Sequence, residues 1–339
     1  MNCYRFSRQL VCSLVLLTMF IWGSFIGCGC NATPATESTK EYTGTNLLVR
    51  LNFKPLSDKM PNSHNDTPAL IDLGRKLFFE KRISMNKSRS CNNCHRLDHK
   101  GAGVDNQPTS KGARGISGKR NSPTVLNAGF QVAQFWDGRA ADLVEQAKGA
   151  LTSPTEMALR SEKDVTSRLN RSADYRKRFA LAFPGQAEPV TFDNVARAIA
   201  AFERTLITPS RFDRYLNGEE EAISINEKAG LDRFVETGCI ECHNGKTVGG
   251  GSLQKLGVYH PYEYNSDTGR YKITGLKEDR FVFKVCMLRN VTLTSPYFHD
   301  GRISTLSEAV RQMAWMQLDI ELAPHEIDDI IRFLHTLEA

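Results

Sequence analysis

The chain has 339 residues, 40 % of them hydrophobic, which is enough apolar material for two modest cores. Its 44 Lys and Arg against 38 Asp and Glu give a formal charge of +6. No basic stripe is interleaved with aromatic residues, so a nucleic-acid-binding surface is excluded, and nine cysteines are left to be assigned one by one.

Residues 1–27 read as an export signal. Arg5 and Arg8 make a positive start, and a mostly apolar stretch from Leu10 to Ile26 runs into Ser24-Phe25-Ile26-Gly27-Cys28. That ending is similar to a bacterial lipobox, with Phe25 where Leu is usual, and makes Cys28 a candidate lipid anchor; ordinary cleavage and an uncleaved anchor are the alternatives. Cys3, Cys12 and Cys30 fall in the same segment. Residues 28–65 are expected to form a flexible tether, most plainly the Thr-, Ser-, Ala- and Glu-rich run from Asn31 to Thr45. The expected location is the periplasm, with a lipid anchor to a membrane if Cys28 is modified.

An amphipathic helix is predicted over Ala69–Phe79, with Leu70, Leu73 and Leu77 on one face. Cys91-Asn92-Asn93-Cys94-His95 follows, then a Gly-rich loop over 101–120 and a helix from Thr191 to Leu206. The order then repeats. Ser224 caps a helix carrying Leu231, Phe234 and Val235 up to Gly238, and Cys239-Ile240-Glu241-Cys242-His243 comes next. A second Gly-rich loop, 245–257, is followed by helices at about Thr305–Leu318 and at Pro324–Leu337. Few strand patterns occur. The expectation is a mainly α protein of two cytochrome-c-like domains, 66–208 and 209–339, each with one covalently attached haem.

The haem reading rests on chemistry. In Cys-x-x-Cys-His both thiols can add to the porphyrin vinyl groups, which leaves the adjacent His beneath the iron. A zinc ribbon pairs its Cys-x-x-Cys units about 15–20 residues apart, whereas these lie more than a hundred apart and each ends in His. A thioredoxin-like motif would follow a strand, and neither copy does. Cys91, Cys94, Cys239 and Cys242 are therefore haem attachments, with His95 and His243 as proximal ligands. Four propionates would offset most of the positive charge. Cys286, alone in Phe283-Lys284-Val285-Cys286-Met287, reads as an inert small apolar residue in a buried strand or loop.

At Phe135-Trp136-Asp137-Gly138-Arg139-Ala140-Ala141-Asp142-Leu143 the sequence resembles the bacterial di-haem cytochrome c peroxidases. The runs from Asn121 to Asn127, Ala200 to Leu206, Asp279 to Val285, Leu288 to Val291 and Tyr297 to Gly301 extend the resemblance over about residues 66–338. The resemblance implies reduction of hydrogen peroxide to water with electrons from a small redox protein, a mono-haem cytochrome c or a cupredoxin. It implies Glu156 as acid and base in the pocket of the first haem, with Gln146 and Phe135 beside it, and Trp136 as the electron relay between the haems. It implies Met313 as sixth ligand of the second iron, with Met316 and Met287 as alternates, and His299 as a propionate partner. One calcium ion at Asn121, Thr294 and Pro296, and a homodimer, are also implied. Taken by themselves, Glu156 reads as a surface carboxylate, Gln146 as a solvated helix position, and Trp136 as a core aromatic.

One position departs from the family. A His in the loop after the first haem motif ligates the oxidised first iron in many members; here that position is Ala113. Alanine cannot bind iron, so the first haem is expected to be open even when oxidised, with no reductive activation. His99 and His64 lie off the matching position. The rival functions are a maturase-like oxidase of a partner protein, in which Tyr takes the Met313 position, and a plain di-haem electron carrier.

Overall fold

The computed structural model describes residues 44–98 and 102–339. The export signal, Cys28 with its neighbouring cysteines, the 31–43 run and His99 lie outside the described residues. None of the described helices is long and apolar enough to cross a membrane.

The protein is mainly helical. In chain order the helices are α1 Gly44–Asn52, α2 Pro68–Phe78, α3 Leu143–Thr152, α4 Glu162–Asn170, α5 Ala173–Ala182, α6 Phe192–Glu203, α7 Arg211–Leu216, α8 Ile225–Glu236, α9 Tyr271–Thr274, α10 Leu306–Leu318 and α11 Pro324–His335. The named strands β1 Leu253–Lys255 and β2 Val282–Lys284 form one short antiparallel pair, with Gln254 opposite Phe283. Helix starts fall where the sequence puts capping groups. The hydroxyls of Thr191, Ser224 and Thr305 accept from the backbone N–H groups of Asn194, Glu227 and Glu308 at 3.1–3.3 Å.

Apolar side chains gather into two large clusters. One joins α2, α3, α4, α5 and α6 through Leu73, Leu77, Leu151, Leu169, Phe179 and Ile199. The other joins α7, α8, α10 and α11 through Phe212, Leu231, Phe234, Met316, Ile330 and Phe333. Each contains the same helix crossing. A Cβ on Gly74 of α2 would lie 1.8 Å from the Ala198 carbonyl of α6, and one on Gly230 of α8 would lie 2.1 Å from the Asp329 carbonyl of α11. Only glycine lets either pair approach so closely. Beside each crossing two phenylalanines meet edge to face or tilted: Phe78 with Phe202 at 5.3 Å and Phe234 with Phe333 at 5.1 Å.

The expected tether over 28–65 is corrected for its second part. Residues 44–52 form α1, and Val49 and Phe53 pack onto the second cluster. Val49 and Phe53, four apart on one face, are both 1 % exposed, and the Phe53 ring sits 5.4 Å from Phe212. The Leu56 N–H donates to Asp213 at 2.7 Å. An i, i+4 apolar pair gives the segment a face to bury, which a solvated tether lacks.

The repeat continues past the helices. Phe135-Trp136-Asp137-Gly138-Arg139 and Phe298-His299-Asp300-Gly301-Arg302 form the same tight loop. The N–H of Gln134 donates to Ala140 O, and that of Tyr297 to Ile303 O, at 2.7 and 2.6 Å. Phe135 and Phe298 both hold left-handed backbones, φ 64° and 65°, an unusual conformation for a bulky aromatic. Asn127 and Asn290, also left-handed, donate through their N–H groups to Leu206 O and Leu337 O, and both side chains reach the Thr208 hydroxyl.

Candidate active site

Both Cys-x-x-Cys-His motifs start as a single 3-10 turn, Cys91–Asn93 and Cys239–Glu241, in which the His N–H returns to the first Cys carbonyl at 2.9 Å. In the second motif both thiols and the imidazole face one space. His95 Nδ1 lies 3.1 Å from Pro123 O, which fixes the tautomer and leaves Nε2 free to bind iron. His243 Nδ1 is buried near the carbonyls of Val248 and Cys286 and forms a well-shaped hydrogen bond with neither. Burial lowers the pKa of both imidazoles, that of His243 to about 4, so each is neutral and ligand-competent at neutral pH.

His243, Cys239 and Cys242 open onto a cavity of about 1760 Å³, part of it open to solvent. Met313 of α10 and Met287 line it too; Met316, three residues on, is 3 % exposed and lies in the second cluster instead. The α10 register thus puts Met313, not Met316, against the His243 cavity. An imidazole, two thiols and a thioether around an apolar space fit a c-type haem with a Met ligand. Phe135 and Trp136 form part of the wall.

Trp136 is held between the two motif-bearing regions. Its Nε1–H donates to Asn121 O at 2.8 Å, its carbonyl accepts from the Lys284 N–H at 2.7 Å, and its ring stands 6.4 Å from that of His299, its counterpart in the second loop. His299 is 3 % exposed, stacks on Phe283 at 4.3 Å, and keeps a buried Nε2 with no partner. Asp137 is anchored by Arg120 at 2.6 Å, and Arg120 also holds Asp267 at 2.6 Å, tying this loop to the second half.

On the other side of the first loop, three groups come together, Glu156, Arg139 and Phe135. Glu156 lies in the turn after α3, and burial raises its pKa above the usual carboxylate range, with Arg139 and Ser153 opposing. Arg139 stacks over the Phe135 ring at 3.4 Å from the centroid. Phe135 in turn reaches α3, where a Cβ on Gly149 would lie 3.4 Å from its ring, one turn beyond Gln146. The electrostatic influence of Glu156 extends to Cys91 and Cys94. A desolvated carboxyl, a guanidinium and an aromatic ring thus stand near the first Cys-x-x-Cys-His motif, an arrangement of the kind that can move a proton. Arg139 was not assigned from the sequence. Matching Phe135-x-Asp137-Gly138-Arg139 against Phe298-x-Asp300-Gly301-Arg302 marks it as part of a built loop.

The loop bearing Ala113 is sewn to the Glu156 turn. The Ala113 N–H donates to Glu156 O at 2.7 Å, Asn86 Nδ2 donates to Ala113 O at 2.7 Å, and Ala113 is 3 % exposed. A Cβ on Gly112 would lie 2.1 Å from Thr155 O. His64 sits on an exposed 3-10 turn. Cys286 is half-buried after β2 and lines the His243 cavity, and burial raises its thiol pKa to about 11, the inert form.

Asn121, Thr294 and Pro296 line the same large cavity. Asn121 Nδ2 donates to Gln107 O at 3.0 Å, which leaves its Oδ1 available, and neighbouring Asn106 has a buried Oδ1 without a partner while its amide binds Leu293 O and Ser295 O. Neutral oxygen donors of this kind fit calcium. Among the described residues no cluster of three or more His, Cys, Asp or Glu could hold a metal.

Fold and site together define a mainly helical protein with two haem-attachment motifs, one beside a carboxylate pocket and one beside a methionine. Residues 68–221 match the family model described as di-haem cytochrome c peroxidase. The chain is 46 % identical over 271 residues to the cytochrome c551 peroxidase of Nitrosomonas europaea, covering 79 % of each. It is 41 % identical to that of Pseudomonas aeruginosa, covering 90 % of this chain and 88 % of the relative. Among solved structures, a MauG-like protein associated with microbial copper homeostasis is similar at TM-score 0.74 and 28 % identity, over 84 % of this chain and 94 % of that one. The chain belongs to the di-haem cytochrome c peroxidase family and is an oxidoreductase of the peroxidase class. Membership implies two c-type haems, and the residues at both motifs fit them.

Proposed function

We propose that this protein reduces hydrogen peroxide to two waters at the Cys91/Cys94/His95 site, with two electrons from a small mono-haem cytochrome c or cupredoxin that enter at the Cys239/Cys242/His243/Met313 site. The haems, when bound, supply an iron to hold peroxide and a second iron to take up electrons. The chain supplies the rest. Glu156 accepts the proton of the near peroxide oxygen and returns it to the far one, so that the far oxygen leaves as water. Burial beside Phe135 keeps its carboxyl poised for both tasks. Arg139 holds a positive charge next to the developing negative charge. Gln146 orients the bound peroxide from α3. Trp136 bridges the apolar gap between the two sites.

Met313 caps the second site and keeps it closed to peroxide. Ala113 leaves the first open in every redox state. Asn121, Thr294 and Pro296 hold a calcium ion that braces the contact between domains 66–208 and 209–339. The protein works in the periplasm as a homodimer, tethered by a lipid if Cys28 is modified.

The observation that carries this reading is the meeting of Glu156, Arg139 and Phe135 beside the first haem motif. The test is steady-state turnover of hydrogen peroxide with a panel of reduced mono-haem cytochromes. Rapid oxidation by the wild type, lowered in Glu156→Gln by about 10²–10⁴-fold, is expected. Unchanged turnover in Glu156→Gln removes Glu156 from this role.

A further inference from the structure

The helices α6 and α11 correspond residue by residue. Besides the shared glycine crossing and phenylalanine pair, the hydroxyls of Thr205 and Thr336 donate to Phe202 O and Phe333 O at the same 2.7 Å. In this register Glu203 stands where the second half has Leu334. Leu334 is 2 % exposed and lines the cavity around His243, as suits a wall against a porphyrin. Glu203 is 5 % exposed, and its carboxylate accepts no hydrogen bond from any described residue.

The groups around it leave it uncompensated. Arg204, the one charge that acts on it directly, is held by Asp66 through bonds of 2.6 and 2.7 Å. On α2, Arg75 lies over the Phe202 ring, while Asp72 and Lys76 turn to Arg178 and Asp174 of α5. On α3, Lys148 pairs with Glu145 and with Asp193 at the opposite end of α6. On α4, Arg168 is taken up by the carbonyls of Arg82, Ser84 and Met85. What remains near Glu203 is Cys91, the first thioether position, which also feels Cys94 and Glu156.

We propose that Glu203 is a proton-binding site coupled to the redox state of the haem held by Cys91, Cys94 and His95: its carboxylate takes one proton from solvent when that haem gains an electron, and releases it when the electron leaves. The reason is electrostatic. An unpaired carboxylate largely removed from water is held ionised mainly by nearby positive charge, and a ferric porphyrin core carries one positive charge more than a ferrous one. Burial, opposed only by the charge of Arg204, already lifts the Glu203 pKa to about 8, so one added or removed charge decides its state near neutral pH. Leu334 gives the second haem no such partner. The inference rests on a haem at the first motif and is independent of the peroxide chemistry.

The test is a spectroelectrochemical titration of both haems in the intact protein from acid to mildly alkaline pH. The midpoint potential of the first haem is expected to fall with pH, with a slope approaching about 59 mV per pH unit, while that of the second stays comparatively flat. Glu203→Gln, which keeps shape and size, is expected to flatten the first slope and leave the second. Reduced-minus-oxidised infrared spectra of the wild type are expected to gain a protonated carboxyl band, which does not depend on the variant folding. An unchanged first-haem slope in Glu203→Gln, or no such band in the wild type, overturns the proposal. Failure to find a covalent haem at Cys91 and Cys94 by mass spectrometry overturns the haem assignment and the proposal with it.

Discussion

The two halves of this molecule share a scaffold and differ in what surrounds the haem motif. Both cross two helices at a glycine, both pack two phenylalanines beside the crossing, and both end in the same five-residue loop with a left-handed phenylalanine. The differences are few and chemical. Trp136 faces His299, Glu203 replaces Leu334, the first half adds Glu156, and the second adds Met313. A duplicated frame that holds a cofactor leaves function to the residues that approach it, and in the proposed reading one half handles protons while the other handles electrons alone.

The comparison can be broken most sharply at the two residues that close or open each site. Glu156→Gln is expected to lower peroxide turnover by about 10²–10⁴-fold while leaving the potential of the second haem unchanged. Met313→Ala is expected to do the reverse: the potential of the second haem falls, electron uptake from the donor slows, and the first haem keeps its spectrum. Redox titration with stopped-flow reduction checks both, and equal effects of either change on both haems would contradict the division.

The shared frame is tested by its glycines. Gly74→Ala and Gly230→Ala each drive a Cβ into a carbonyl on the partner helix, and each is expected to cost about 1–3 kcal/mol in denaturant unfolding. Gly112→Ala is expected to lower stability as well and, in the protein that remains folded, to impair turnover, because its Cβ displaces the Thr155–Glu156 turn.

A smaller effect sharpens the proton side. Arg139 opposes the rise in the Glu156 pKa that burial causes. In Arg139→Gln that opposition is gone, the carboxyl pKa rises further, and less of the ionised base is present at a given pH. The acid limb of the kcat/KM profile is therefore expected to move to higher pH, with the alkaline limb unmoved. A shift to lower pH would show that Arg139 acts on some other group.

Much of this was legible in the residues. The Cys-x-x-Cys-His motifs, the capped helices starting at Thr191, Ser224 and Thr305, and the Leu70/Leu73/Leu77 face are local patterns, and local patterns survive in a single sequence. Which side of α10 meets the His243 cavity is a matter of helix register: Met313 and Met287 line that cavity, and Met316 does not. What was not legible depends on contacts far apart in the chain. Val49 and Phe53 look like part of a linker until Phe212 is brought against them from over 150 residues away. Arg139 looks like a surface charge until a left-handed Phe135 puts its ring beneath the guanidinium. Glu203 sits in an ordinary helix until α11 supplies the counterpart that shows it out of place.

The central claim is that one haem site is open and the other closed before any electron arrives. It rests on Ala113, which is tied to the Glu156 turn and has no group that can bind iron, and on Met313 in the His243 cavity. Electron paramagnetic resonance of the fully oxidised protein tests it directly. The account predicts one high-spin signal from the Cys91/Cys94/His95 haem and one low-spin signal with His and Met ligation. Two low-spin signals, with two nitrogen ligands on the first haem, would contradict it.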